Sequence, residues 1–133
     1  MEILPVRFNP GDDLRRSVEA FAQGSDGLSA FLISGIGSLV DARLRFAGEA
    51  EETIITGPLE IISVAGSVSP DGAHLHMSVS DSAGRVSGGH VAYGNIVRTT
   101  VEAVLVLLPA WTLTREFDAA TGFKELFIRK GQP

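Results

Sequence analysis

The segment at residues 73–80 constrains the fold more than any other part of the sequence, because apolar and polar side chains alternate along it without a break. Its odd-numbered positions are Ala, Leu, Met and Val, and its even-numbered positions are His, His, Ser and Ser. This alternation predicts a β-strand with one face in the core and one polar face. Side chains two residues apart share a face, about 7 Å from each other along the strand, so His74 and His76 point the same way.

A hairpin turn is predicted directly after this strand. The loop 82–84 fits a type I turn that is followed by a left-handed residue, and Gly84 suits the last loop position. Counting outward from this loop places His90 opposite His76, with His74 as its diagonal neighbour. Directly opposed Cβ atoms lie about 5 Å apart and diagonal ones about 7–8 Å. The register therefore predicts that the three histidines of the chain converge on one face.

Three neutral imidazoles around one open position form the ligand set of catalytic zinc sites, and they also suit iron, nickel or copper. An isolated His-x-His pair is weak evidence, because histidines on a polar strand face can simply be solvated or hydrogen-bonded. The predicted register favours a metal site, and Gly88 and Gly89 provide room or a bulge just before His90. A slip of one residue in the register would send His90 to the other face.

The chain resembles the PPC (plant- and prokaryote-conserved) domain, a family whose members are often described as DNA-binding. The resemblance covers about residues 7–127. Its central motif has His-x-His at 74–76, Gly-Gly-His at 88–90 and Thr-Thr-x-Glu at 99–102 in the family's order and spacing, and it also includes Ser-Asp at 80–81 and Gly-Arg-Val at 84–86. Two further segments match the family, the Gly-rich segment 34–38 and the strand-like segment 60–66. Two departures are Val101, where the family more often has alanine, and the missing Arg-Gly-Arg-Pro AT-hook of plant members.

This resemblance implies a single α+β domain over residues 1–133, with a mostly antiparallel sheet and one or two flanking helices, assembled as a homotrimer. It also implies that His74, His76 and His90 hold a divalent metal, with zinc the first expectation. A small-molecule ligand at this metal is a separate hypothesis, which does not come from the resemblance. The fold resembles that of acetolactate decarboxylase, whose zinc is also held by a His-x-His pair and a third histidine.

Composition limits the classes of function. The chain of 133 residues is 44% hydrophobic, enough for one domain with a real core. Its eleven basic and sixteen acidic residues give a net charge of −5. Direct DNA binding is therefore disfavoured, because duplex DNA is bound mainly by Lys and Arg on phosphates, although a local basic patch remains compatible with this total.

The remaining bulk features concern the compartment. The chain has no cysteine, which excludes disulfides and thiolate metal sites. Residues 1–5 lack the basic start and long apolar run of a signal peptide, and the longest apolar run, 103–110, is far shorter than the roughly 20 residues that span a bilayer. The sequence thus predicts a cytoplasmic protein that does not enter membranes.

One helix is predicted near the start of the chain. It follows a turn at 9–12, is capped by Asp12 or Asp13, ends near Gly24 and leads into a loop at 25–27. The residues predicted to face the core are Leu14, Val18, Phe21 and Ala22, and those predicted to face solvent are Arg15, Arg16 and Glu19.

Strands are predicted for most of the remaining chain. They are 2–8, 28–36, 39–46, 53–56, 59–68, 73–80, 91–97, 112–117 and 124–128, with a frayed tail at 129–133. The segment 97–108 fits a helix or a strand, and the family resemblance decides for a strand. The glycines at 34–38 lack the third glycine of a nucleotide-binding loop, so they indicate a tight connection beneath a close neighbour.

Glu102 is the only charged residue inside the apolar run after Thr99, and a buried carboxylate needs a partner or a metal. It is therefore the candidate catalytic residue, either orienting a ligating imidazole or contacting metal or substrate. The alternative is a salt bridge with Arg98 or Arg115. Glu60 also has two interpretations, a functional carboxylate near the site or an ordinary carboxylate at a strand edge. The second interpretation is favoured.

Two classes of function follow. The first is a trimeric PPC-domain protein that binds a divalent metal and works in a regulatory or DNA-associated setting. The second is a metal-dependent lyase or hydrolase that acts on a small carbonyl or carboxylate substrate. In an enzyme, Glu102 is the candidate acid or base, Tyr93 a donor, and Arg85 or Arg98 a partner for an anionic substrate.

Overall fold

The computed structural model describes residues 1–24 and 29–131, which contain ten strands and one helix. The predicted loop at 25–27 and the end of the tail at 132–133 lie outside the described residues. In chain order the elements are β1 (Glu2–Phe8), α1 (Leu14–Gly24), β2 (Ala30–Leu39), β3 (Ala42–Arg45), β4 (Glu52–Ile55), β5 (Leu59–Ser69), β6 (Gly72–Ser80), β7 (Val86–Val91), β8 (Val97–Leu107), β9 (Trp111–Asp118) and β10 (Phe123–Lys130).

Eight of these strands form one sheet in the order β1-β8-β2-β5-β6-β7-β3-β4, and every neighbouring pair is antiparallel. β9 and β10 form a separate two-stranded antiparallel ribbon. A mostly antiparallel sheet with one helix among the described residues agrees with the predicted α+β class. The part of the chain that the structure describes contains no second flanking helix.

The core lies between this sheet and α1. Leu14, Val18 and Ala22 of the helix are fully buried against apolar residues of the sheet, as their spacing predicts. Asp13 precedes the helix, and its side chain accepts a hydrogen bond from the backbone amide of Arg16 at 3.2 Å. A carboxylate at this position satisfies an otherwise unpaired amide and favours the positive end of the helix dipole, so the predicted cap is confirmed.

The ambiguous segment after Ile96 is a strand, because β8 pairs with β1 on one side and β2 on the other. Several predicted strand bounds differ from the structure. β2 extends to Leu39, and the strand predicted over 39–46 is only Ala42–Arg45. The segment 91–97 is not one strand: β7 ends at Val91, and Ile96 forms only an isolated bridge with Asp13 before β8 begins. The tail is not frayed at Arg129 and Lys130, which belong to β10.

Gly35 and Gly37 lie inside β2 and not in a connection between strands. A Cβ on Gly35 would approach Val64 to 2.7 Å, and one on Gly37 would overlap with the carbonyl oxygen of Thr100. The predicted close neighbour is therefore present, while the predicted tight connection is wrong.

The eleven residues of α1 are too few for a bilayer crossing, and the described residues include no other helix that is long and apolar enough to make one.

Candidate metal centre

The predicted hairpin is present with the predicted register. β6 and β7 pair His76 with His90 and Ser80 with Val86, and Gly84 closes the turn at a φ of 77°. A left-handed residue at this loop position is what glycine accommodates without steric cost. The Asp81 carboxylate stabilises the turn by accepting hydrogen bonds from the backbone amides of residues 83 and 85 at 2.9 and 3.0 Å.

The glycines before His90 create a close approach and not a bulge. The β6–β7 pairing runs without a register shift from His76 to Ser80. A Cβ on Gly89 would lie 2.7 Å from the carbonyl oxygen of Arg45 on β3, and one on Gly88 would lie 3.0 Å from the carbonyl oxygen of Met77. The two glycines thus let β7 fit tightly between its neighbouring strands directly beside the third imidazole.

The three imidazoles converge on the polar face of this hairpin. The ring centroid of His74 lies 4.9 Å from that of His76 and 4.9 Å from that of His90, and the remaining pair is 5.7 Å apart. One nitrogen from each ring can be chosen so that all three lie within 4.8 Å of one another. Behind them, Leu75 is fully buried, so alternation along β6 places the rings on one side and the core on the other.

The environment favours the neutral form of two of these rings. Partial burial is the main cause that lowers the pKa of His90 to about 4, with the neighbouring His74 and Arg45 adding to it. The pKa of His74 is lowered too, first by burial and then by Arg115. A neutral imidazole keeps a nitrogen lone pair that can bind a metal ion, whereas an imidazolium has none.

The spacing of one nitrogen pair, on His74 and His76, is close to that in a tetrahedral metal site. Zn–N bonds are about 2.0–2.1 Å long, so two tetrahedral ligand atoms are about 3.4 Å apart. The Nε2 atoms of His74 and His76 are 3.1 Å apart, close to that value. Three histidine nitrogens and no carboxylate or thiolate suit zinc and other divalent transition metals better than calcium or magnesium. The donor set therefore fits the metal that the resemblance implies.

A cavity of about 940 Å³, named here the histidine cavity, opens beside His74 and His90. Its wall comes from several elements that are distant in sequence: α1, β3, the loop before β6, and the β9–β10 ribbon. Among the described residues, four cations and three carboxylates line it. The cations are Arg15, Arg45, Arg115 and Lys124, and the acids are Glu49, Asp71 and Glu125.

Arg15 is held by a network around Glu19, whose predicted solvent exposure is wrong. Glu19 is buried, and its Oε1 atom accepts hydrogen bonds from Arg15 Nε at 3.1 Å and from the backbone amide of Ala73 at 3.0 Å. The Tyr93 hydroxyl donates to both carboxylate oxygens at 3.0 Å. Arg15 also donates to the carbonyl oxygen of Val91 at 3.2 Å, and its guanidinium stacks on the Tyr93 ring.

Glu102 lies far from the histidines, although its predicted catalytic role requires it to be near them. It is exposed on β8, which β2 and β5 separate from β6, a distance of about 14 Å across the sheet. The predicted burial is wrong. Among the described residues no ion pair joins Glu102 to Arg98 or Arg115. Its catalytic role stays a prediction that this position does not favour.

Glu102 instead borders a shallow depression of about 480 Å³, named here the Glu102 depression. Glu60 lies in it too, so this carboxylate is also away from the histidines, as favoured from the sequence. The exposed side chains of Ile36 and Ile62 complete the depression. Its surface is thus acidic and aliphatic, whereas the histidine cavity is cationic.

The other predicted helpers do not line the histidine cavity. Arg85 pairs with Asp81 at the hairpin turn at 2.8 Å, and Tyr93 reaches the site only through Glu19 and Arg15. The cations that do line the cavity were missed because they come from distant elements, and no local pattern unites them. The i, i+4 spacing of Arg15 and Glu19 was a usable signal for their ion pair.

Comparisons with known proteins identify the family. The sequence model of the Plants and Prokaryotes Conserved (PCC) domain, the family abbreviated PPC above, matches residues 1–109. Two curated relatives, both described as bifunctional protein GlmU, come from Synechococcus sp. strains JA-3-3Ab and JA-2-3B'a(2-13). They are 40% and 39% identical over 98% and 97% of this chain. The chain spans only about a fifth of their length, 21% and 20%.

Solved structures share the fold. A hypothetical protein from Salmonella is 39% identical with a TM-score of 0.93, covering 97% of this chain and 94% of its own. A metal-containing protein from Archaeoglobus fulgidus is 26% identical with a TM-score of 0.77, covering 96% and 94%. A putative DNA-binding protein from Bacteroides thetaiotaomicron is 22% identical with a TM-score of 0.83, covering 94% and 91%, and shows the fold alone. The fold resemblance to acetolactate decarboxylase stays a prediction. By its sequence and its fold, this chain belongs to the PCC domain family.

Proposed function

We propose that this protein binds one divalent metal ion per chain, zinc before other metals, through His74, His76 and His90. The observation that carries the proposal is the convergence of three imidazole nitrogens within 4.8 Å on one face of the β6–β7 hairpin. When bound, the metal supplies a Lewis-acidic centre with an open coordination position beside the histidine cavity. The chain's own part is to keep two of the imidazoles neutral and to fix their directions by strand pairing.

A relative of known structure supports this proposal. The Archaeoglobus fulgidus structure, 26% identical to this chain, is described as metal-containing. At this level of identity the description shows that the shared fold is compatible with a metal in one member.

The experiment is a zinc titration against a competing chelator, with His76→Ala and Ser78→Ala compared with the wild type. His76 is exposed, so its removal deletes a ligand with little loss of packing. Ser78 is the matched control, because it occupies the next position on the same strand face. We expect zinc affinity to fall at least about a hundredfold in His76→Ala and to stay within about twofold in Ser78→Ala. Equal affinities in the two variants would refute the proposed ligand set.

We also propose a homotrimer, as the family resemblance implies. The supporting feature is the Glu102 depression, where Ile36 and Ile62 are 54% and 52% exposed side by side on the sheet. Exposed aliphatic side chains that lie together favour burial against another copy. Light scattering should give three chains per particle for the wild type and a smaller particle for Ile62→Glu. Ile54→Glu, at a similarly exposed position on β4, should leave the particle unchanged.

A second candidate function is a metal-dependent lyase or hydrolase acting on a small carbonyl or carboxylate substrate. The observation that favours it is the size of the histidine cavity, about 940 Å³, which is in the range of ligand sites. A DNA-associated role is the weaker alternative, because the chain carries a net charge of −5. DNA binding whose affinity falls steeply with salt concentration would support that role. A lack of any DNA binding at low salt would exclude it. Cell fractionation would test the expected cytoplasmic location.

A further inference from the structure

The histidine cavity contains more positive charge than a metal site requires. Four of the eleven Lys and Arg residues of this acidic chain line one cavity. Guanidinium and ammonium groups repel a divalent cation, so metal binding alone does not account for their position. Counted over the described lining residues, four cations and three carboxylates give the cavity wall a net charge of +1, while the chain as a whole is at −5.

Two of the cavity arginines contact only neutral oxygens, so their positive charge is available to a ligand. Arg115 donates to the hydroxyl of Ser67 at 2.6 Å, and Arg45 donates to the backbone carbonyl oxygen of Glu49 at 3.2 Å. Both partners are neutral oxygens, and within the described residues neither guanidinium forms an ion pair. Each of these bonds fixes the direction of a guanidinium while leaving other N–H donors available.

Arg15 differs from these two because Glu19 partly balances its charge. Its side chain is only 19% exposed, and three contacts hold it: Glu19, the Val91 carbonyl and the Tyr93 ring. A side chain held in this way loses little conformational entropy when a ligand binds. Arg15 therefore presents a preorganised edge of the cavity beside His74 and His90.

A bound divalent metal would increase the positive charge of the cavity further. With three neutral imidazoles the metal keeps its full charge of +2, so the cavity would reach about +3 by simple addition to the lining residues. An anionic ligand at the open coordination position would offset this charge. A planar guanidinium matches carboxylate and phosphate oxygens geometrically.

We infer that the histidine cavity binds a small organic anion, whose carboxylate or phosphate group is held by Arg45 and Arg115 while another of its oxygens takes the open position on the metal. The second part of this inference rests on the proposed metal function. The cavity volume of about 940 Å³ leaves space for a ligand of metabolite size. The shared chemistry of the ligand is an anionic oxygen group near a metal-binding oxygen.

Calorimetry with defined probes tests this inference. Succinate represents the dicarboxylates, glycerol 2-phosphate represents the organic phosphates, and glycerol is the neutral control. Each is titrated into zinc-loaded and metal-free wild-type protein, and into the variants Arg115→Gln, Arg45→Gln and Arg98→Gln. Arg98 is the charge-matched control, because it is exposed on β8 and does not line the cavity. Circular dichroism verifies that each variant is folded.

We expect at least one anionic probe to bind, glycerol not to bind, and affinity to fall about tenfold or more in Arg115→Gln and Arg45→Gln. Arg98→Gln should stay within about twofold of the wild type. Absence of anion binding by zinc-loaded protein, or equal affinities in all three variants, would overturn the inference and leave the metal proposal intact. A third contrary outcome is that both cavity variants change zinc affinity but not anion binding, since the arginines would then act only on the imidazoles.

Zinc content of the same samples separates the two proposals. If the wild type holds no zinc after loading, the proposed metal function fails. Anion binding that still depends on Arg45 and Arg115 would then support a cationic anion site without a metal.

Discussion

The histidine cavity and the Glu102 depression both border the main sheet, yet the charges of their side chains differ. Two of the three imidazoles, four cations and three carboxylates line the cavity, whereas two carboxylates and exposed isoleucines line the depression, with no cation among its described lining residues. Both contain residues of the motifs that carry the family resemblance, His-x-His in one and Thr-Thr-x-Glu in the other. Motifs that are read together in the sequence therefore serve two separate places in the folded chain.

This separation changes what each motif explains. The histidines suit a metal ligand set because strand pairing brings them together and their surroundings favour neutral rings. Glu102 is about three strand spacings away, so within one chain it does not orient those rings.

The largest expected effect concerns the support behind the histidines. Leu75 lies between His74 and His76 in sequence and is fully buried beneath them. Leu75→Ala should lower the free energy of unfolding by about 2–5 kcal/mol, because it removes buried methyl groups and leaves a cavity. Urea denaturation of the metal-free protein measures this.

The control for this substitution is Ile54→Ala, at a position that is 55% exposed on β4. It should change the free energy of unfolding by no more than about 0.5 kcal/mol. The burial pattern indicates that Leu75 packs beneath the hairpin and stabilises it. An equal loss of stability in both variants would contradict this.

The second prediction concerns pH. The pKa of His90 is about 4 in the folded protein against an ordinary value of 6.5, so the unfolded chain binds more protons between these values. The metal-free protein should therefore lose stability as the pH falls from about 6.5 towards about 4. His90→Gln should reduce this slope, and Ser78→Ala should keep it, in urea denaturation at a series of pH values. An unchanged slope in His90→Gln would contradict the account.

The third prediction concerns the network that holds Arg15. Tyr93→Phe removes the hydroxyl that donates to both oxygens of Glu19, which should cost about 1–2 kcal/mol in the free energy of unfolding. Anion affinity should fall only a fewfold, because Arg15 keeps its other contacts. Ser80→Ala is the control: its hydroxyl makes one 3.4 Å bond to the Asp81 carbonyl, and its loss should cost no more than about 0.5 kcal/mol.

The hairpin was predictable from the sequence because its register depends on local information. Alternation along β6 and one glycine turn determine which residues face each other, and the observed pairs agree. The cations of the cavity were not predictable in the same way. Arg15, Arg45 and Arg115 come from a helix and two strands whose meeting depends on the arrangement of the whole chain.

The errors at Glu102 and Glu19 have different physical reasons. In β8 the neighbours Val101 and Ala103 are buried, so strand alternation places Glu102 on the outer face, and treating the run as buried on both faces hid this. Glu19 is at the edge of the apolar face of α1. There it is buried because a backbone amide, a tyrosine and an arginine satisfy its oxygens.

The most direct test of the central claim is the metal content of the wild type, His76→Ala and Glu102→Gln, purified in parallel and measured by elemental analysis. The account predicts one divalent metal per chain in the wild type and in Glu102→Gln, and none in His76→Ala. It would be contradicted if Glu102→Gln lost its metal as His76→Ala does, since the two places would then form one site. Metal retained in full by His76→Ala would contradict it equally.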